Sequence, residues 1–159
     1  MGRLVSMRRM TTIGIRPAVR DDIAAIVAML ADDALGATRE SPDDLTPYLS
    51  AYERLQSDPN QLLVVADRDG EVVGTLQLTV IPGLSRKGST RSIIEGVRIH
   101  SSERGHGLGA QLIEWAVDES RRQGCQLVQL TSDSARTDAH RFYERLGFTG
   151  SHVGFKLQL

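Results

Sequence analysis

At 159 residues, with 40% hydrophobic and 25% charged side chains, the chain can bury a sizeable core and lacks the composition of a disordered or membrane-spanning protein. Its net charge of -1 gives no broad attraction to nucleic acid or to an anionic membrane surface. The single cysteine, Cys125, excludes an intrachain disulfide and a CxxC pair, and the four histidines show no ligand spacing, so no metal site is expected.

Residues 1–12 read as a flexible leader, because arginines and a serine interrupt any apolar core a signal peptide would need. A cytoplasmic protein with a single domain over 13–159 is therefore expected. Residues 13–19 alternate as a short strand, and Pro17 suits an edge or a strand end. Asp21 and Asp22 open a helix on which Ile23, Ile26, Val27 and Leu30 share a face. A second helical stretch begins after Ser41, with Leu45, Leu49, Tyr52 and Leu55 as its apolar stripe. The β-rich runs 61–66 and 71–81 are joined by Asp67-Arg68-Asp69-Gly70, a hairpin turn. A polar loop over 82–89 leads to a strand at 91–99. The helix over 108–123 ends with Arg121, Arg122 and then Gly124. A strand at 127–131, a short helix at 137–146 and a final strand at 153–159 complete the order.

Three consecutive strands predict an antiparallel meander, and the later strand-helix-strand unit requires a parallel pair. The expected class is thus α/β (α+β) with a mixed sheet.

Between strand and helix lies Arg104-Gly105-His106-Gly107-Leu108-Gly109. Such a turn offers backbone N–H groups at the positive end of a helix, where phosphate oxygens bind. Its glycines let an anion approach the backbone, and Arg104 can add a side-chain donor. Read alone, the turn leaves open a plain connection, a dinucleotide site or another nucleotide site. Gly105-x-Gly107-x-x-Ala110 fits the relaxed dinucleotide fingerprint, with Asp133 where a ribose-binding acid would be sought. Against it, five residues separate the strand core at Ile99 from the first glycine, and only one more helix and strand follow. No Gly-Lys-Ser/Thr follows, which excludes a P-loop.

The stretch Ile94-Glu95-Gly96-Val97-Arg98-Ile99-His100-Ser101-Ser102-Glu103-Arg104-Gly105-His106-Gly107-Leu108-Gly109 resembles the acetyl-CoA motif of the GNAT N-acetyltransferase superfamily. In that motif a Val-x-Val strand and a bulged connection precede Arg/Gln-x-x-Gly-x-Gly/Ala. Downstream, Ala139-His140-Arg141-Phe142-Tyr143-Glu144-Arg145-Leu146-Gly147-Phe148 is similar to the superfamily's A-x-x-F-Y-E-x-L-G-F segment. The two motifs lie in order on the expected elements, and the resemblance covers residues 13–159.

The resemblance implies a GNAT-like mixed, mostly antiparallel sheet of six or seven strands, with a splayed parallel pair and flanking helices. It implies acetyl-CoA as cosubstrate. The pantetheine arm would pair with backbone at Val97, Arg98 and Ile99, and the pyrophosphate would rest on Arg104, Gly105, His106, Gly107, Leu108 and Gly109. Further cofactor contacts are implied for Arg136 and Ala139. Tyr143 matches the tyrosine that protonates the departing thiolate, a role that suits a phenol still protonated at neutral pH.

Glu95 sits on an otherwise apolar run (Ile93, Ile94, Val97, Ile99) and is the candidate for taking the acceptor amine's proton. An ion pair with Arg98 or Arg91 is the other account of it. Gly96 stands where amino-sugar acetyltransferases have an Asp, so their substrate is not carried over. Arg136 replaces a cofactor-touching Asn and either binds CoA phosphate or caps a helix. Asp133 either attracts an amine or caps the helix starting near Thr137. Cys125 lies at the strand end away from the cofactor, which favours direct attack in a ternary complex over an acetyl-cysteine.

The expected activity is acetyl transfer to a primary amine of a small molecule or peptide, with the acceptor met by residues 35–58 and 82–90. Protein N-terminal or lysine acetylation and non-catalytic acyl-CoA binding are the alternatives. Neither a nucleic acid nor a membrane is expected as partner, and the resemblance makes a homodimer the assembly to look for.

Overall fold

The computed structural model describes residues 13–159, so the leader expected at 1–12 lies outside the described residues. In chain order the elements are β1 (Ile13–Pro17), a 3-10 turn (Arg20–Asp22), α1 (Ile23–Ala31), α2 (Gly36–Arg39), α3 (Thr46–Ser57), β2 (Gln61–Arg68) and β3 (Glu71–Ile81). There follow α4 (Ser85–Gly88), β4 (Arg91–Ile99), a second 3-10 turn (Ser101–Glu103), α5 (Leu108–Arg122), β5 (Leu127–Leu130) and α6 (Thr137–Arg145). One sheet runs β1-β2-β3-β4-β5, antiparallel through β4 and parallel between β4 and β5. The mixed sheet expected from the element order is therefore present, with Pro17 closing an edge strand where its missing N–H costs no ladder bond.

The β2–β3 strands run further than the sequence indicates and leave a two-residue turn, Asp69 and Gly70. Both have positive φ (53° and 91°), the pattern that matches the twist of a tight hairpin. Successive residues of β2 feed opposite cores. Val64 and Ala66 join Leu76, Leu78 and Ile94 beneath Leu108, Leu112, Ile113 and Ala116 of α5. Val65 faces Ala18, Ile23, Ile26 and Val27, with Leu45, Leu49 and Tyr52 packed behind them. Helices therefore cover both faces. Gly74 permits the close approach of α5, since a Cβ there would stand 3.0 Å from Leu112 Cδ1 and 3.3 Å from the Ala66 Cβ.

Asp22 does more than favour a helix end. Arg16 bonds its carboxylate (2.7 Å) and that of Asp67 (2.9 Å), joining β1, β2 and the start of α1. The Arg16 hydrogen bond holds Asp22 below the usual carboxylate range, against the opposing effect of burial.

Two expectations change. The segment 82–89 is not wholly irregular, because Ser85–Gly88 makes one turn in which Arg86 and Lys87 are left-handed. The final strand expected at 153–159 does not form, so the sheet has five strands rather than six or seven. A strand is stable only against a partner edge, and this segment pairs with none among the described residues. Among the described residues, no helix is long and apolar enough to cross a membrane.

Candidate active site

The parallel pairing of β4 and β5 runs only from Arg91↔Leu127 to Ile94↔Leu130. β4 then continues through Ile99 with no strand on that side, so the pair opens into a gap. A bulge accompanies the opening. Glu95 faces Gln77 and Arg98 faces Thr75, leaving Gly96 and Val97 opposite the single residue Leu76. Gly96 has φ 61°, the left-handed geometry that favours glycine at such a kink. The stretch Glu95–Ile99 is thus a bent strand edge able to receive an extended ligand by backbone pairing.

Beyond β4, Gly105 (φ 80°) and Gly107 (φ 85°) carry the turn into α5 in left-handed conformations. The N–H groups of Arg104 and His106 already bond Ser101 O and Glu103 O, each at 3.4 Å. Those of Gly105, Gly107, Leu108, Gly109 and Ala110 meet no acceptor among the described residues, and no side chain caps α5. Five donors at a positive helix end form an anion cradle. A Gly107→Ala substitution meets open space but not an allowed backbone, and should cost about 1–2 kcal/mol. Thermal unfolding measures this, and a pyrophosphate ligand should bind more weakly to the variant.

Arg104 is placed differently from the expectation that its side chain adds a donor to the anion. Its guanidinium bonds Asp32 Oδ2 (2.7 Å) and Ile99 O (3.3 Å), tying the turn to the end of α1. Sequence reasoning missed Glu103, which is 6% exposed and held by Arg68 of β2 through two parallel hydrogen bonds. The available signal was electrostatic: an acid directly before an anion-binding turn has the wrong sign unless a cation neutralises it.

At the open stretch of β4 the structure gathers Tyr143, Arg98, Arg136 and Asp33. The Tyr143 ring stands edge-on to Phe142 (5.1 Å, 66°) and Phe148 (5.9 Å, 71°). Its hydroxyl has no hydrogen-bond partner among the described residues. Burial pushes the Tyr143 phenol up, and the charges of Arg136 and Arg98 oppose this. Arg98 bonds Val97 O (2.9 Å) and lies 3.5 Å from Asp33 Oδ2, while its Nε is buried without a partner. Asp33 is held low chiefly by the Gly36 N–H, against burial, with help from Arg98 and Arg136.

Glu95 is the first residue past the last β4–β5 pair and is exposed. Neither Arg98 nor Arg91 pairs with it, so the ion-pair account is not realised. Val97 and Ile99 are half-buried against the α5-side core. Ala139 is half-buried near the start of α6, and Arg136, at the N-cap, makes no side-chain capping bond. Asp133 does not cap the helix either, because its carboxylate accepts from Ala135 N (2.9 Å) instead. Ser132 Oγ, just past β5, is buried without a partner and was not singled out from the sequence. Burial pushes the Cys125 thiol up, and the thiol sits at the closed end of the parallel pair. His106 is exposed in the turn.

Over residues 25–148 the chain matches the acetyltransferase (GNAT) family. It is 31% identical over 156 residues to aminoalkylphosphonate N-acetyltransferase of Salmonella typhimurium, covering 96% of this chain and 97% of that one. It is 37% identical over 90 residues to glucosamine 6-phosphate N-acetyltransferase of Trypanosoma brucei brucei, covering 57% and 59%. A solved structure from Bacillus halodurans C-125, described as a transcriptional regulator, has a TM-score of 0.89 and 45% identity, covering 93% of this chain and 100% of that one.

Proposed function

Since the chain belongs to the GNAT acetyltransferase family and is an acetyl-CoA-dependent N-acetyltransferase, we propose that its acceptor is the primary amine of a small molecule that also carries an anionic group. The observation that carries this reading is the bent β4 edge leading into the five-donor cradle, with the unpartnered Tyr143 phenol and two arginines beside it. The edge suits the amide-bearing arm of the cosubstrate, and the cradle suits its pyrophosphate. Acetyl-CoA supplies the activated acetyl group, and the residues of this chain supply position and proton transfer.

In this reading Glu95 takes a proton from the acceptor ammonium, and the amine attacks directly in a ternary complex. Tyr143 then donates its phenolic proton to the departing sulfur, where Arg98 and Arg136 also stabilise the developing negative charge. Cys125, at the closed end of the strand pair and shifted away from the thiolate form, takes no part. The anionic group of the acceptor meets the guanidinium end of Arg98, which is 25% exposed beside Asp33, and the exposed Arg136. The amines named in the Salmonella and Trypanosoma relatives carry phosphonate or phosphate, which supports this preference.

Free-thiol release from acetyl-CoA, measured across aminoalkylphosphonates, amino-sugar phosphates, amino acids, polyamines and short peptides, tests the reading. The largest kcat/KM should fall on a small amine with an anionic group. A preference for peptides would instead assign protein N-terminal or lysine acetylation. CoA binding without turnover on any amine would instead assign a non-catalytic acyl-CoA-binding module.

Glu95→Gln should reduce kcat near neutral pH by about 100-fold and leave acetyl-CoA affinity unchanged. The loss should shrink as pH rises and the acceptor deprotonates unaided. A pH–rate profile that matches the parent in shape removes Glu95 from the reaction.

A further inference from the structure

The tip of α1 sets an acid against the arginines of the site. Asp32 and Asp33 follow the helix directly, and each meets an arginine. Asp32 holds Arg104 of the turn at 2.7 Å, and Asp33 Oδ2 lies 3.5 Å from Arg98 of the open β4 stretch. Asp33 is fixed in place. Its Oδ1 accepts from the Gly36 N–H at 2.5 Å, and α2 starts on a glycine whose added Cβ would stand 1.9 Å from Leu30 O. The 3.5 Å to Arg98 is long for an ion-pair hydrogen bond, and the Asp33 and Arg98 side chains remain 31% and 25% exposed. Arg136 is near enough for its charge, like that of Arg98, to help the Gly36 N–H hold the Asp33 carboxyl below its usual range. Asp33 therefore stays a carboxylate at neutral pH and acts on the site as a fixed negative charge. For anion recognition alone, an acid here has the wrong sign.

We infer that Asp33 is a specificity-determining residue of the acceptor site, which makes Arg98 and Arg136 accept an anionic group only when an ammonium accompanies it. Given the acceptor reading above, on which this depends, the preferred substrate is a zwitterion compact enough for both its charges to feel Asp33. Asp33 repels the anionic end and attracts the ammonium, so the two effects largely cancel. For an anion without an amine only the repulsion remains. The reaction itself makes such an anion. Acetyl transfer forms the N–C bond and breaks the C–S bond, CoA leaves as the thiol, and one proton is released overall. The nitrogen passes from ammonium to neutral amide, so the product is one unit more negative than the substrate. The attraction that offset Asp33 is then gone, and the carboxylate loosens the hold of Arg98 and Arg136 on the product. The same charge keeps amine-free phosphates out of the acceptor site.

Asp33→Asn keeps an oxygen for the Gly36 N–H and removes only the charge. With aminomethylphosphonate as acceptor, the variant should be inhibited about ten-fold more strongly by N-acetylaminomethylphosphonate and by methylphosphonate, which has no amine. KM for the acceptor itself should move less than about three-fold. Asp33→Glu, which restores the charge, should return both inhibition constants toward the parent values. A merely structural aspartate would weaken binding on removal, so tighter binding of the amine-free anion is the result specific to this role. Asp32→Asn removes a charge one residue away, beside Arg104, and should leave both inhibition constants near the parent values; equal tightening there would overturn the inference. A parent that does not favour anionic amines removes the acceptor reading and this inference together. A parent that does, with inhibition of Asp33→Asn unchanged or weakened, removes the inference alone.

Discussion

Replacing Tyr143 with Phe should lower kcat about 100-fold or more while leaving the Kd for CoA within about two-fold. The ring is fixed by edge-on contacts with Phe142 and Phe148, which Phe reproduces. The hydroxyl bonds no group among the described residues, so its removal orphans none of them, and stability should change by less than about 0.5 kcal/mol. A 100-fold loss corresponds to about 2.7 kcal/mol at the transition state. The two readouts are therefore well separated, and stopped-flow turnover beside a thermal melt distinguishes a proton donor from a packing aromatic. The pH profile gives a second check. Burial raises the phenol above its ordinary value of 10.0, against the pull of Arg136 and Arg98, so Tyr143 keeps its proton and stays active as an acid through neutral pH. Activity dependent on that proton should decline only as pH rises past 10, and the Phe variant should lack the decline. Equal kcat in the two proteins would leave Tyr143 as packing alone.

What the sequence made legible is what it encodes locally. The meander, the parallel pair, the glycine turn and the helix that follows it are each written in a short window, as alternation, helical spacing or a run of glycines. Gly96 was legible only as a departure from a family pattern, yet in the structure it sits in the bulge that bends β4 away from β5. The misses share a cause, which is separation along the chain. Arg104 was expected to face the anion, but Asp32 reaches it from the end of α1 and ties it down. Glu103 drew no comment because Arg68, its partner, lies 35 residues away on another strand. The final strand expected at 153–159 does not form: its apolar residues alternate, but alternation states that a strand wants a sheet and does not say which sheet. Its own sheet ends at β5, and no short-range signal could carry that.

Glu103→Gln should lower the melting temperature by about 5 °C and weaken CoA binding at least ten-fold. Breaking a fully buried ion pair costs about 3–5 kcal/mol, but the Arg68 side chain is 31% exposed and can regain water, so about 2 kcal/mol is expected. The double variant with Arg68→Met should lose less than the two single changes summed, because each single change strands the other partner. Glu119→Gln is the comparison. Glu119 is also buried, and the burial that would raise its pKa is more than offset by hydrogen bonds from Gln123 and Arg122, but these contacts lie within the last turn of α5 and its C-cap. Its loss should cost stability and leave CoA affinity unchanged. For Glu103 two effects oppose each other. Neutralising an acid beside the cradle, and freeing the Arg68 cation, should by electrostatics alone tighten anion binding. Releasing the turn from β2 should loosen the placement of five N–H donors, each of which must point at the same pyrophosphate. Because those donors act only when aligned, positioning is expected to win and the Kd to rise. A Kd that falls instead would show that Arg68 and Glu103 cancel charge beside the cradle without setting its shape.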